Sequence, residues 1–272
     1  MRMQIGLLVL LLLLSTTAFS QTFKYTTVQV PSSSATGVFG VNDNGDMVGT
    51  FTPISGGESG FLYSGGVYQT IACPNAVDTL AEGINNSGVI VGWCGDAGFI
   101  YQDGAYTFVS HPGARLTAFL GINNQGVITG VWQPKEGPYQ HTFTYANGVF
   151  TPITTLRLPT GINNAGTLAG LACNSKQNLC HGAIRVGNKT KAVKYPKATG
   201  TFLGGINDNG DVVGYWGPNG TSLVYNIPTK RFTSFTVDGS VVSQPYGINN
   251  LGEIVGTYSD GVTEYGYYGS IQ

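Results

Sequence analysis

Few residues in this chain have chemistry to offer: four Cys, three His and 14 Asp or Glu among 272 residues. Cys73, Cys94, Cys173 and Cys180 could ligate a metal or pair as disulfides. They do not form two Cys-x-x-Cys pairs, so a thiolate metal site has no spacing behind it. Cys173 and Cys180 flank a short polar loop, 174–179, and would clip it at its base. Cys73 and Cys94 then pair by elimination, one of three connectivities open to four cysteines. Two stretches, Asn42 to Asp46 and Asn207 to Asp211, have the look of calcium loops. Calcium takes six to eight oxygens, usually several of them carboxylates. The four equivalent stretches elsewhere have no acid among their turn residues. The turn therefore forms without a metal, and neither metal nor cofactor is expected. There is no Gly-x-Ser-x-Gly elbow, no His-Glu-x-x-His and no phosphate-binding loop. Acidic residues come singly, so catalysis would need a site assembled from distant segments. Glu58, Asp96, Glu136 and His141 are the candidates for such a lyase or hydrolase.

What could hold these residues in place is a repeat. Gly-Ile-Asn-Asn-x-Gly, followed by an apolar run and another Gly, begins near Gly40, Gly83, Gly121, Gly161, Gly205 and Gly247. One copy per 40 or so residues signals a stacked or radial array. The second copy reads as four strands: Thr79 to Asn85, Val89 to Cys94, Ala97 to Gln102 and Ala105 to Ser110. No helical apolar period appears, and Gly or Pro interrupts every window. Asn first and Gly fourth in Asn85-Asn86-Ser87-Gly88 suit a type I turn closed by a left-handed glycine. Second strands such as Val89-Ile90-Val91 are apolar runs, so both of their faces must be covered. These features predict an all-β fold, a six-bladed β-propeller with four antiparallel strands per blade. The last copy lacks a fourth strand, while Thr22 to Val30 is a spare one at the front. The ring should close by the N-terminal strand completing the last blade, which removes both exposed edges.

Residues 1–20 read as a signal peptide: Arg2, an apolar run from Ile5 to Leu14, and Ala18-Phe19-Ser20 before a cut that leaves Gln21 first. Residues 21–272 are then one propeller domain, secreted to an extracellular or periplasmic space where thiols pair. No later apolar run is long enough to span a membrane. The formal net charge is −1 with 10% charged residues, so no basic field to attract nucleic acid and no polybasic membrane patch is expected.

Beyond the repeated Asn turn, His141-Thr142-Phe143-Thr144-Tyr145 and the strand-end Pro112-Gly113-Ala114 complete a consensus. Weaker copies are His181-Gly182-Ala183, Pro74-Asn75-Ala76 and Pro196-Lys197-Ala198. With these motifs the chain, over essentially its whole length after the leader, resembles the HAF-type extracellular repeat family of bacteria. The resemblance implies a secreted propeller-like protein and no established activity.

Within a propeller, the first-to-second and third-to-fourth turns share one end of the ring and are uniform here. The other connections share the opposite end and vary: 52–59, 133–140, 174–179, 217–220 and 259–263. Function is usually carried by variable loops on a rigid frame. Trp93, Trp132 and Trp216 fall at the bases of these loops, with Phe51 and Tyr258 matching. Such a ring of aromatics could stack on sugars or wedge blade against blade, and packing is the favoured role. His141 and His181 occupy equivalent places in adjacent blades, where a hydrogen bond between blades outweighs a metal site; His111 should face solvent. The leading expectation is a non-enzymatic binding module whose variable-loop face, with Trp93, Trp132, Trp216 and His141, takes a glycan, another extracellular polymer or a protein. A propeller enzyme with a site at the central mouth and a purely structural envelope protein are the alternatives.

Overall fold

The computed structural model describes residues 22–137, 139–174, 179–218 and 220–272. The leader expected over 1–20 lies outside the described residues. Twenty-four strands form six sheets of four, all antiparallel. Five blades are continuous in sequence: 33–71, 79–109, 114–153, 158–193 and 201–235. The sixth combines 242–271 with the strand Phe23–Val28, which pairs with Glu264–Ile271 from Phe23↔Ile271 to Val28↔Gly266. The ring is thus closed by backbone pairing between the two ends of the fold, as expected.

The strands read in the second copy start and stop as expected to within one residue. The first two are Thr79–Ile84 and Ile90–Cys94, so Asn85 and Val89 belong to the turn. The reason is that the Asn85 side chain takes over part of the ladder. Its Oδ1 accepts from the backbone N–H of Ser87 and of Val89, both at 3.0 Å. Gly88 then donates to Asn85 O with φ +76°, in the left-handed region that glycine enters without strain.

The same asparagines join the blades. Asn42 Nδ2 donates to Asn85 O, Asn85 to Asn123 O, Asn123 to Asn163 O, Asn163 to Asn207 O, Asn207 to Asn249 O, and Asn249 back to Asn42 O, all at 2.9–3.3 Å. A second closed circuit runs beside it. The backbone N–H groups of Asp43, Asn86, Asn124, Asn164, Asp208 and Asn250 each donate to the side-chain oxygen of the next member, at 2.8–2.9 Å. Each turn therefore closes its own hairpin and also hands one bond in each circuit to its neighbour, which explains the uniformity of the motif.

There is no single central core. Six apolar clusters lie at the six seams between blades. Second-strand residues such as Ile90, Val91, Val212 and Val213 are fully buried because each sheet is covered on both faces. At the axis the motif's leading glycines touch. A Cβ on Gly205 would lie 3.0 Å from Gly247 Cα, and one on Gly40 would lie 3.1 Å from Gly83 Cα. Side chains there would push the blades apart.

At the opposite end a second device recurs. The residue that leaves each blade packs on the second strand of the next blade. His111 stacks on Trp132 with ring centroids 4.0 Å apart, and Tyr195 on Trp216 at 4.4 Å. Val30 shares a cluster with Phe51, Leu156 with Ala172, and Val237 with Tyr258. Between the first two blades the same contact is covalent, the disulfide Cys73–Cys94. Cys173–Cys180 pairs two strands of one blade. Both pairings are those read from the sequence. The Pro-x-Ala motif that follows three of the six clasps is a turn: Ala76, Ala114 and Ala198 donate to Cys73, His111 and Tyr195 O, with positive φ at Asn75, Gly113 and Lys197. Proline second and a positive φ third define a type II turn.

Candidate functional site

Two places on the variable-loop end gather polar side chains. The first is the axis. Each inner strand carries a register shift at its end, for example between Ala81 and Gly83 and between Pro245 and Gly247. A bulge re-aims the extra residue. Five of the six residues before the motif glycine are Phe39, Glu82, Leu120, Thr160 and Tyr246, and they line a narrow axial cup above the glycine ring. This is the one inner-strand position that differs in every blade, and no sequence motif marks it.

Glu82 dominates the cup. Burial pushes its carboxyl up to about 7, and the charge of Glu58 adds to the rise. The indole N–H of Trp93 works the other way by favouring the anion. Burial, then the neighbouring Tyr215 phenol and the Glu264 and Glu82 carboxyls, likewise push the Tyr246 phenol up to about 12, and its O–H donates to Gln244 Oε1 at 2.7 Å. Phe39 meets Tyr246 edge to face at 5.2 Å. Glu264 is also raised, by burial and then by Glu58. The cup thus offers a carboxylic acid that exchanges its proton near neutrality, an aromatic wall and a phenol.

The second place is the seam between the third and fourth blades. A cleft of about 450 Å³ is lined by His111, Trp132, Gln140, His141, Thr154 and Arg157, among others. Trp132 carries two stacked imidazoles, His111 at 4.0 Å and His141 at 4.6 Å. Arg157 and Gln140 hold each other across the cleft: Arg157 Nη1 donates to Gln140 O at 2.6 Å, and Gln140 Nε2 donates to Arg157 O at 3.1 Å. His111 Nδ1 lies 2.9 Å from Pro112 O. Thr142 Oγ1 is spent on the carbonyls of Ile153 and Leu156 and fixes the cleft wall. Among the described residues no carboxylate lines the cleft.

The structure redistributes the residues read from the sequence. Trp132 and Trp216 occupy equivalent places, opposite Thr117 and Thr201. Trp93 does not join them. It pairs with Leu80, while Cys94 pairs with Thr79 and holds the matching place. A shift of one residue in a strand reverses the side chain, so Trp93 turns toward Glu82. Trp132 and Trp216 both stack on protein rings, as the packing role requires. His111 is half-buried on Trp132 instead of facing solvent. His181 lies near Lys194, whose charge adds to burial in lowering its pKa. Of the four residues named for an enzyme, Glu58 acts on the axial cup, His141 lines the cleft, and Asp96 and Glu136 are exposed on separate loops. The loops 133–140, 174–179 and 217–220 are described only in part.

At the other end of the axis, a dimple of about 70 Å³ is lined by the asparagine turns. Burial opposes ionisation of Asp43, but hydrogen bonds from Asn86 and Asn250 outweigh it and hold its carboxyl below the usual range. Its oxygens are taken by Asn86 Nδ2 and by the backbone and side chain of Asn250. Among the described residues no group of three or more His, Cys, Asp or Glu could hold a metal ion, and no helix is long and apolar enough to cross a membrane.

No protein-family model matches the chain, and no curated sequence does either. Solved structures match its shape. A luciferin-regenerating enzyme aligns at TM-score 0.58 and 8% identity, over 92% of this chain and 97% of its own. A structural-genomics protein assigned as a gluconolactonase aligns at 0.57 and 12%, over 92% of both chains. The lectin of Aleuria aurantia, in complex with Fucα1-6GlcNAc, aligns at 0.53 and 11%, over 91% of this chain and 96% of its own. At such identities the likeness is one of fold: the chain is a six-bladed β-propeller.

Proposed function

We propose that this is a secreted binding module of the HAF-type repeat kind it resembles, which takes a glycan on its variable-loop face without transforming it. The observation that carries the reading is the cleft between the third and fourth blades. It combines an arginine fixed through Gln140, two imidazoles and the edge of an indole in a space of sugar size. The two disulfides suit an oxidising space, and a sugar-bound lectin is among the propellers that share the shape. Glycan-array binding tests it. The wild type should bind, and Thr154→Trp, which fills the cleft from an exposed position, should abolish binding at an unchanged melting temperature. A wild type that binds nothing would overturn the reading. N-terminal sequencing of the exported protein should begin at Gln21.

A second reading is favoured by one observation, the near-neutral proton exchange of Glu82 in the axial cup. A hydrolase or lyase would use that carboxyl as its general acid or base. Turnover of a carbohydrate or lactone panel, lost in Glu82→Gln, would establish it; no turnover on any member would dismiss it.

A further inference from the structure

The net charge of −1 conceals a strong segregation. Residues 25–114 carry seven acids and no Lys or Arg. Residues 137–207 carry seven Lys or Arg and no acid. In the ring the first segment builds the first two blades, and the second runs from the third blade to the inner strand of the fifth. The first blade stands opposite the fourth, so the molecule is acidic on one side of its axis and basic on the other.

The basic side overlaps the variable-loop end. Arg157 lines the cleft on the connection that leaves the third blade. One blade on, the equivalent connection carries Lys194 and Lys197, both exposed. Lys194 lies close enough to His181, near the start of the fourth blade's third strand, for its charge to add to burial in lowering the pKa of that imidazole. Lys197 is held outward by the type II turn, at φ +64°. The stretch that supplies these groups has no acid between Glu136, on the loop that leads to Gln140, and Asp208, and among the described residues no carboxylate lines the cleft. Asp208 is bound into the asparagine circuit at the other end of the ring. Cations on the equivalent connections of two neighbouring blades, one of them in a sugar-sized cleft, make a surface for a repeating anion.

We infer that the variable-loop face binds an anionic polysaccharide, a carboxylate- or sulfate-bearing glycan, with one residue of the polymer in the cleft at Arg157 and the following residues along Lys194 and Lys197. This rests on the glycan-binding reading above and names its ligand class. The test compares the full chain on polygalacturonate, dextran sulfate, unmodified dextran and single-stranded DNA of similar length. Polygalacturonate or dextran sulfate should bind at least about tenfold tighter than dextran, and raising NaCl from about 0.15 to about 0.6 M should weaken that binding by at least as much. Lys194→Gln with Lys197→Gln changes two exposed side chains and should cost about tenfold with an unchanged melting temperature; Asp78→Asn on the acidic side should cost nothing. Dextran bound as tightly as the charged polymers, and lost in Thr154→Trp but not in the double lysine variant, would overturn the anionic inference and leave the glycan reading standing. Binding of no glycan would overturn both. Tighter binding to DNA than to either charged glycan would overturn the inference in favour of a nucleic-acid partner.

Discussion

Glu82→Gln separates the charge of the axial cup from its shape. The ordinary value for this carboxyl is 4.5, and the folded protein raises it to about 7, first through burial and then through Glu58. Over that window the folded state holds a proton that the unfolded chain has released, so stability falls as pH rises from about 4.5 to about 7. Every tenfold gain in proton affinity on folding corresponds to about 1.4 kcal/mol, which sets an upper limit of about 3 kcal/mol. Solvent at the mouth reduces this, because Glu82 is only partly buried. We expect the ionised carboxylate to cost about 1–3 kcal/mol at pH 8. Glutamine keeps the size of the side chain and an oxygen for the Trp93 indole. The variant should match the wild type below pH 4.5 and exceed it by that amount at pH 8. Urea unfolding midpoints of both proteins from pH 4 to pH 9 measure the difference directly. A difference that stays constant with pH, or that widens toward acid, would refute the assignment of the charge to Glu82.

Four further variants probe the frame. Thr129 is fully buried and its hydroxyl has no partner, whereas four equivalent positions hold Val48, Val91, Val213 and Val255; Thr129→Val should stabilise by about 1–2 kcal/mol and raise Tm by about 2–6 °C in calorimetry. Asn123→Ala removes the bond to Asn163 O and those from Gln125 and Val127, and should lower the unfolding free energy by about 2–4 kcal/mol in denaturant titration. Replacing Cys73 and Cys94 by alanine opens a crosslink spanning 21 residues and should cost about 3 kcal/mol. Tyr and Trp at those two positions, copying Tyr195 and Trp216, should recover part of that loss, and no recovery would count against the clasp as a shared device.

The fold was legible because its main constraints are local and repeated. Six turns with Asn first and a left-handed glycine fourth, apolar second strands and a spare N-terminal strand leave little but a closed ring. The disulfides followed from the brevity of 174–179. The site was less legible, for physical reasons. Trp93 and Trp132 look alike in a list of aromatics, but they differ by one place relative to the motif glycine, and one place reverses a strand side chain. His111 sits before a proline like a loop residue, and only its contact with the next blade, across more than 20 residues, buries it. Glu82 looked like one more isolated acid. Its importance comes from a bulge repeated six times, and a bulge is a property of strand pairing that no single strand displays. The charge segregation was present in the sequence, yet a total of −1 hides it until the ring sets the first blade opposite the fourth.

The two ends of this ring divide the labour in a way that bears on where binding can arise. At one end each turn spends its side-chain oxygen, its amide and its backbone on two circuits that close only when all six members are present. A ligand there would have to displace bonds that hold neighbouring blades together. The dimple at that end is correspondingly small, about 70 Å³. At the other end the blades are joined by a contact whose chemistry varies: valine on phenylalanine, imidazole or phenol on indole, and a disulfide all occupy it. A joint that tolerates any apolar or aromatic pair allows the loops around it to change without loosening the ring. Where that pair is His111 on Trp132 with His141 beyond, the joint itself becomes a cleft wall that presents hydrogen-bonding groups. In this fold a binding site can therefore evolve from a packing contact without the ring first having to give one up.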